Sequence, residues 1–67
     1  MLFKFETGAV YMAMEKFIAE YKDDYTPIGF MDYDHIFGIY ETLTRAAVKP
    51  SSVFLDVSEF ALLEEFL

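Results

Sequence analysis

The sequence predicts a small α+β domain of two or three short strands with three helices. Three observations carry this. Two segments near the ends, "LFKFE" and "VFLDV", have the composition of strands. Two longer stretches between them repeat their apolar residues at helical spacing. The last eight positions hold five bulky apolar side chains, Phe60, Leu62, Leu63, Phe66 and Leu67, which a third helix would turn onto one side. At 67 residues the chain makes one compact domain, 1–67. The alternative architecture is a mostly helical bundle in which "VFLDV" is an extended connector.

Each element follows from its residues. "LFKFE" alternates apolar and polar loosely and reads as a strand over 2–6. Thr7 offers a side-chain oxygen ahead of "GAVYMAMEKFIAEYK". There Val10, Met14, Phe17, Ile18 and Tyr21 form a helix stripe, with Met12 on the outer side and Tyr11 on the flank. "DDYTPIGF" breaks that helix, because the residue before a proline avoids helical angles and Gly29 adds turn freedom. Residues 28–31 are a possible third strand. "DYDHIFGIYETLTRAAVK" is the second helix, with Asp32 or Asp34 as its cap and Ile36, Tyr40, Leu43 and Ala47 as its stripe. Glu41 and Arg45 stand four apart in the favourable order for an ion pair. Arg45 and Lys49 fall near the helix end, where cations suit the dipole. "KPSS" is a turn, "VFLDV" a strand pairing with 2–6, and Ser58 the cap of the last helix. The five apolar residues of that helix span roughly 160° of its wheel.

Composition bounds the function. The chain has no Cys and one His, so disulfides and thiolate metal sites are excluded. Domains this small are marginal alone, which leaves a partner subunit or another protein as the stabilising device. No apolar run approaches the roughly 20 residues of a membrane span. "MLFKFETG" lacks the pattern of a signal peptide, and the cytoplasm is the expected compartment. The net charge of −7 disfavours direct nucleic-acid binding and anionic membranes, and suits a partner with a basic surface.

No enzyme signature stands out. "DYDH", Asp32 to His35, places two carboxylates and an imidazole together, but a hard cation needs more oxygen ligands, and a helix N-terminus accounts for the same residues. His35 with Ser51, Ser52 or Ser58 lacks the strained turn that exposes a nucleophile. The glycines are scattered singly, with no phosphate loop. The expectation is a non-enzymatic protein with no cofactor and no metal.

The surplus of aromatic and Met residues is the stronger signal. Eight Phe, five Tyr and four Met exceed what one small core should take, and a large apolar patch on a small protein marks an interaction site. Tyr11, Met12, Phe37, Phe66 and Leu67 are the expected partner-binding residues, with Asp23, Asp24, Asp32 and Asp34 as a charged rim. In "EYKDDY" and "DYDH" Tyr alternates with acids, a pattern able to present carboxylates at phosphate-like spacings, as a DNA mimic does. In composition alone, the chain resembles the small host-takeover proteins of bacteriophages. Two functions follow. One is an acidic binding module that engages and inhibits a host protein, inserting the outward edge of its last helix into a groove. The other is a self-associating structural protein, a homodimer about a two-fold axis. Gly38, on the polar side of its helix, suggests close approach by a partner's backbone.

Overall fold

Strand β1 (Phe3–Glu6) pairs antiparallel with β2 (Ser52–Leu55), placing Phe3 opposite Leu55, Lys4 opposite Phe54, Phe5 opposite Val53 and Glu6 opposite Ser52. A computed structural model describes residues 1–23 and 30–67, the side chains of Phe30 and Met31 excepted. Between and after the strands lie α1 (Thr7–Tyr21), α2 (Phe30–Arg45), α3 (Val57–Leu63) and a closing 3-10 turn (Glu64–Phe66). This is the small α+β arrangement that the sequence predicts, with two strands among the described residues.

The period-2 alternation of the strands sorts their side chains. Phe3, Phe5, Val53 and Leu55 face the helices, while Lys4, Glu6 and Phe54 are exposed. Thr7 is the first residue of α1 rather than its cap. Its N–H donates to the Ser51 carbonyl at 3.2 Å, and its hydroxyl donates to the Pro50 carbonyl. It therefore ties the start of the helix to the turn before β2.

Helix α1 is the hub and touches every other element. Val10, Met14 and Phe17 are fully buried, as their spacing predicts, and Ala13 joins them. Ile18 and Tyr21 are half-buried. Helix α2 begins at Phe30, so Phe30 and Met31 of the expected third strand are helical, while Ile28 and Gly29 lie outside the described residues. Asp32 then sits in the first turn and Asp34 beyond it, and neither is the cap. The earlier start also brings Tyr33, three residues before Ile36, into the buried stripe. The helix ends at Arg45 rather than Lys49, which leaves Ala47 exposed outside it. Lys49 precedes a proline and is biased to extended angles, and the chain needs these residues to return antiparallel to β1.

Strand β2 stops before Asp56, which caps α3 in place of Ser58. The Asp56 carboxylate accepts from the Glu59 N–H at 2.9 Å, and the Glu59 carboxylate accepts from the Asp56 N–H at 3.0 Å. This reciprocal box satisfies two otherwise unpaired amides. Ser58 instead donates its hydroxyl to the Asp56 carboxylate. The Glu59 amide bond, followed by the Ser58 hydroxyl, holds the Asp56 pKa below its ordinary value.

The apolar end of the chain is covered by the chain itself. Leu63 is fully buried. Phe60 lies against Phe3 and Phe5 with ring centroids 5.2 and 5.7 Å away, and Phe66 meets Phe17 edge-on at 6.3 Å. The outward apolar edge expected of this helix is thereby reduced to Val57 at its start and Leu67 beyond its end, both exposed.

Candidate functional site

Residues 34, 35, 38, 39, 42 and 43 recur at helical spacing, so they share one face of α2. Among the described residues, Asp34, His35, Gly38, Ile39, Thr42 and Leu43 line an open groove of about 530 Å³ on that face. Its length along the helix is roughly 14 Å, the nine steps of about 1.5 Å from Asp34 to Leu43. Gly38 lies at the middle. Among the described residues, beyond its own helix's backbone, a Cβ built there would meet no atom within 4 Å, so nothing in the described fold requires glycine at that position. The Thr42 hydroxyl is turned onto the Gly38 carbonyl at 2.9 Å. Ile39 is half-buried and Leu43 buried, and they supply an apolar floor.

The N-terminal end of the groove is polar and acidic. His35 Nε2 lies 2.7 Å from Glu59 Oε2, joining α2 to the capping box of α3. Asp32 and Asp34 are exposed on the same helix. Near the other end, Glu41 holds Arg45 at 3.1 Å. His35 is thus engaged by a carboxylate, and no serine hydroxyl is among its bonded partners. Among the described residues, no three His, Asp or Glu side chains gather where they could hold a metal ion. Among them also, no helix is long and apolar enough to cross a membrane.

The expected contact residues divide into separate places. Tyr11 and Phe37 meet on Tyr40, at centroid distances of 5.0 and 6.4 Å. They belong to a row of rings that runs through Tyr33 and Phe17 to Phe66. Tyr11, Phe37 and Tyr40 are half-buried. The Tyr11 hydroxyl shares a 2.9 Å hydrogen bond with Thr44, and Lys49 Nζ stands 4.5 Å over its ring. The bond to Thr44, and then that to Tyr40, lowers the Tyr11 pKa, while the bond to Tyr11 raises that of Tyr40. Met12 and Leu67 are exposed, at 58% and 45%. Asp23, Asp32 and Asp34 are exposed. Asp24 lies outside the described residues.

The aromatic surplus is absorbed differently from the expectation. Of thirteen rings, eight Phe and five Tyr, all but Tyr25 and Phe30 have described side chains, and Phe54 alone among these is exposed. The molecule measures 33 × 26 × 17 Å. Packed layers stand about 10 Å apart, so the short dimension holds one interior layer. Most rings therefore stack on one another at half burial, and the surplus by itself does not demand a second molecule.

Sequence reasoning missed the groove and the outer face of the sheet, where Phe54 is 54% exposed. A signal for the second was present. In "VFL" the period of two must turn one large residue outward, and burial of Val53 and Leu55 leaves Phe54. For the groove, Gly38 on the polar side of its helix was the available sign. Comparison with protein-family models, curated proteins and solved structures gave no match.

Proposed function

We propose that this chain is a protein-binding module that takes a basic, amphipathic helix of another protein along the α2 groove and inhibits that protein by withholding the helix. The observation that carries the reading is Gly38, an unneeded glycine at the centre of an apolar-floored groove. Helix axes approach within 8–10 Å according to the side chains at their crossing, and a glycine there permits the closest approach. The carboxylates of Asp32 and Asp34, beside the polar end, complement basic residues of such a helix. The net charge of −7 speeds encounter with a basic surface. Of the residues expected from sequence, Asp32 and Asp34 keep a rim role, Tyr11 and Phe37 pack α2, which carries the groove, into the fold, and Phe66 packs against Phe17 of α1. No chemical step belongs to this function. The DNA-mimic version, in which Asp23, Asp32 and Asp34 stand in for phosphates, takes a basic groove of the partner in place of a helix.

The test is a helical peptide with Leu on one face and Lys on the other, titrated against the protein by fluorescence anisotropy. Gly38→Leu projects its side chain from a position whose Cβ has open space into the groove, and should abolish binding while the protein stays folded. Asp34→Asn should weaken binding and flatten its salt dependence. Undiminished binding by Gly38→Leu would remove the groove from the function. Loss of binding only on neutralising Asp23, Asp32 and Asp34 together would favour the mimic version.

A further inference from the structure

The hydrogen bond from Thr7 N–H to the Ser51 carbonyl fixes which way the backbone of β1 points. Thr7 and Ser51 continue the register of the two strands, and bonded and non-bonded pairs alternate in an antiparallel ladder. Phe3–Leu55 and Phe5–Val53 are then the bonded pairs. Lys4–Phe54 and Glu6–Ser52 are the non-bonded ones. The N–H and C=O groups of Lys4 and Glu6 therefore face away from β2, toward an edge that pairs with no strand among the described residues. Such an edge is a template for another strand.

We propose that the occupant is β1 of a second copy, paired antiparallel about a two-fold axis at Phe5 to give a continuous four-stranded sheet. Charge selects this partner and this register. With Phe5 opposite Phe5, Lys4 stands opposite Glu6 of the second copy, and the same pair recurs on the other side of the axis. Both members are exposed on the outer face, and both present outward backbone groups, so each pair forms a bonded site. Opposite charges directly across a ladder are stabilising and like charges destabilising. Sliding the strands by two residues in one direction sets Lys4 against Lys4. Sliding them in the other direction loses both ion pairs. Slips of one residue bring outward groups against inward ones and reverse the faces.

The pairing also explains features of the single copy. A two-stranded ribbon is marginal by itself, and more strands with an apolar face are needed for stability. Phe3 and Phe5 lie on the inner face yet remain half-buried, and the second Phe5 covers the first across the axis. The stem of Lys4 lies beside Phe54, its exposed partner in the ladder. The surface is separate from the α2 groove, so the two interactions stand or fall independently.

Sedimentation equilibrium on the full chain tests this, with far-ultraviolet circular dichroism to verify the fold. The wild type should dimerise at micromolar concentration. Lys4→Glu sets a carboxylate against the partner's Glu6 at both sites and should weaken the dimer about tenfold or more. The double exchange Lys4→Glu/Glu6→Lys should restore it to within about threefold. Lys4→Pro removes an N–H that faces the open edge and leaves the β1–β2 ladder whole, and it too should give monomers. Gly38→Leu should leave the dimer unchanged. A wild type that stays monomeric overturns the proposal. So does a dimer indifferent to Lys4→Glu, or one that the double exchange fails to restore. If the proline variant does not fold, the charge exchange still decides.

Discussion

Two ends of this molecule are equally apolar and meet opposite fates. At the C-terminal end, Phe60, Leu62, Leu63 and Phe66 turn onto the protein's own core, and Leu63 is fully buried. At the two-stranded sheet, Phe54 remains exposed, as does Leu2 just before β1. The difference is one of period. A helix can gather apolar residues spaced three and four apart onto one side, so nearly all of them find cover. A strand turns alternate residues to opposite faces, so a run such as "VFL" in a sheet with one covered face must leave a large side chain outside. Apolar density along a sequence therefore does not indicate exposure until it is combined with the local period.

The largest test of this contrast is Leu63→Ala. Removing a fully buried leucine should cost about 2–5 kcal/mol, since the thin core relaxes only partly around the cavity. In thermal unfolding followed by circular dichroism, that corresponds to a fall in Tm of about 10 °C or more for a domain of this size. A loss no greater than that of an exposed substitution would mean that the C-terminal end is not the sealed region described above.

A smaller effect is expected at the junction between the two ends, where Asp56 closes β2 and caps α3. Its folded-state pKa is lowered from 3.8, first by the bond from the Glu59 amide. A carboxyl whose pKa is depressed on folding contributes stability above its unfolded pKa, and this is lost as pH falls through the folded value. Asp56→Asn keeps a capping oxygen but cannot titrate. Urea unfolding at a series of pH values should show the gap between wild type and Asp56→Asn open above pH 3.8 and close in stronger acid. A gap constant with pH would contradict the capping geometry.

The same junction shows what sequence could and could not reveal. The α+β class, the pairing of the two end segments and the buried stripe of Val10, Met14, Phe17, Ile36 and Leu43 were all legible, because periodicity reports them directly. Boundaries were less so. Ser58 and Asp56 are both capping types, and the choice between them depends on the Glu59 carboxylate reaching back to the Asp56 amide, a three-dimensional closure. Tyr33 was hidden among acids that resembled a helix start. Of the expected site, Tyr11, Phe37 and Phe66 look like surplus in a count of rings, because a count does not reveal that they stack on one another. Gly38 was legible as an anomaly, and its meaning depended on the open space beside it.

Gly38→Ala sharpens the comparison in the opposite direction. A mid-helix glycine costs about 0.5–1 kcal/mol relative to alanine, and the added Cβ meets nothing within 4 Å. The variant should therefore be more stable by about that amount in urea unfolding. Destabilisation would show that the groove is occupied from within the fold.

Phe54→Thr should have the smallest effect. Phe54 is 54% exposed and stands opposite Lys4, and threonine suits a pleated strand nearly as well as phenylalanine. Substitutions at such surface positions stay within about 0.5 kcal/mol, so unfolding midpoints for wild type and variant should nearly coincide. In the proposed four-stranded sheet Phe54 remains on the outer face, so the dimer constant should change little. The substitution thus separates cover on the outer face from pairing at the edge. A loss approaching that of Leu63→Ala would mean that something seals the outer face, and the contrast between the two ends would collapse. Near-neutrality, beside the large cost at Leu63, would locate this protein's stability in its helical side and leave the outer face of the sheet free.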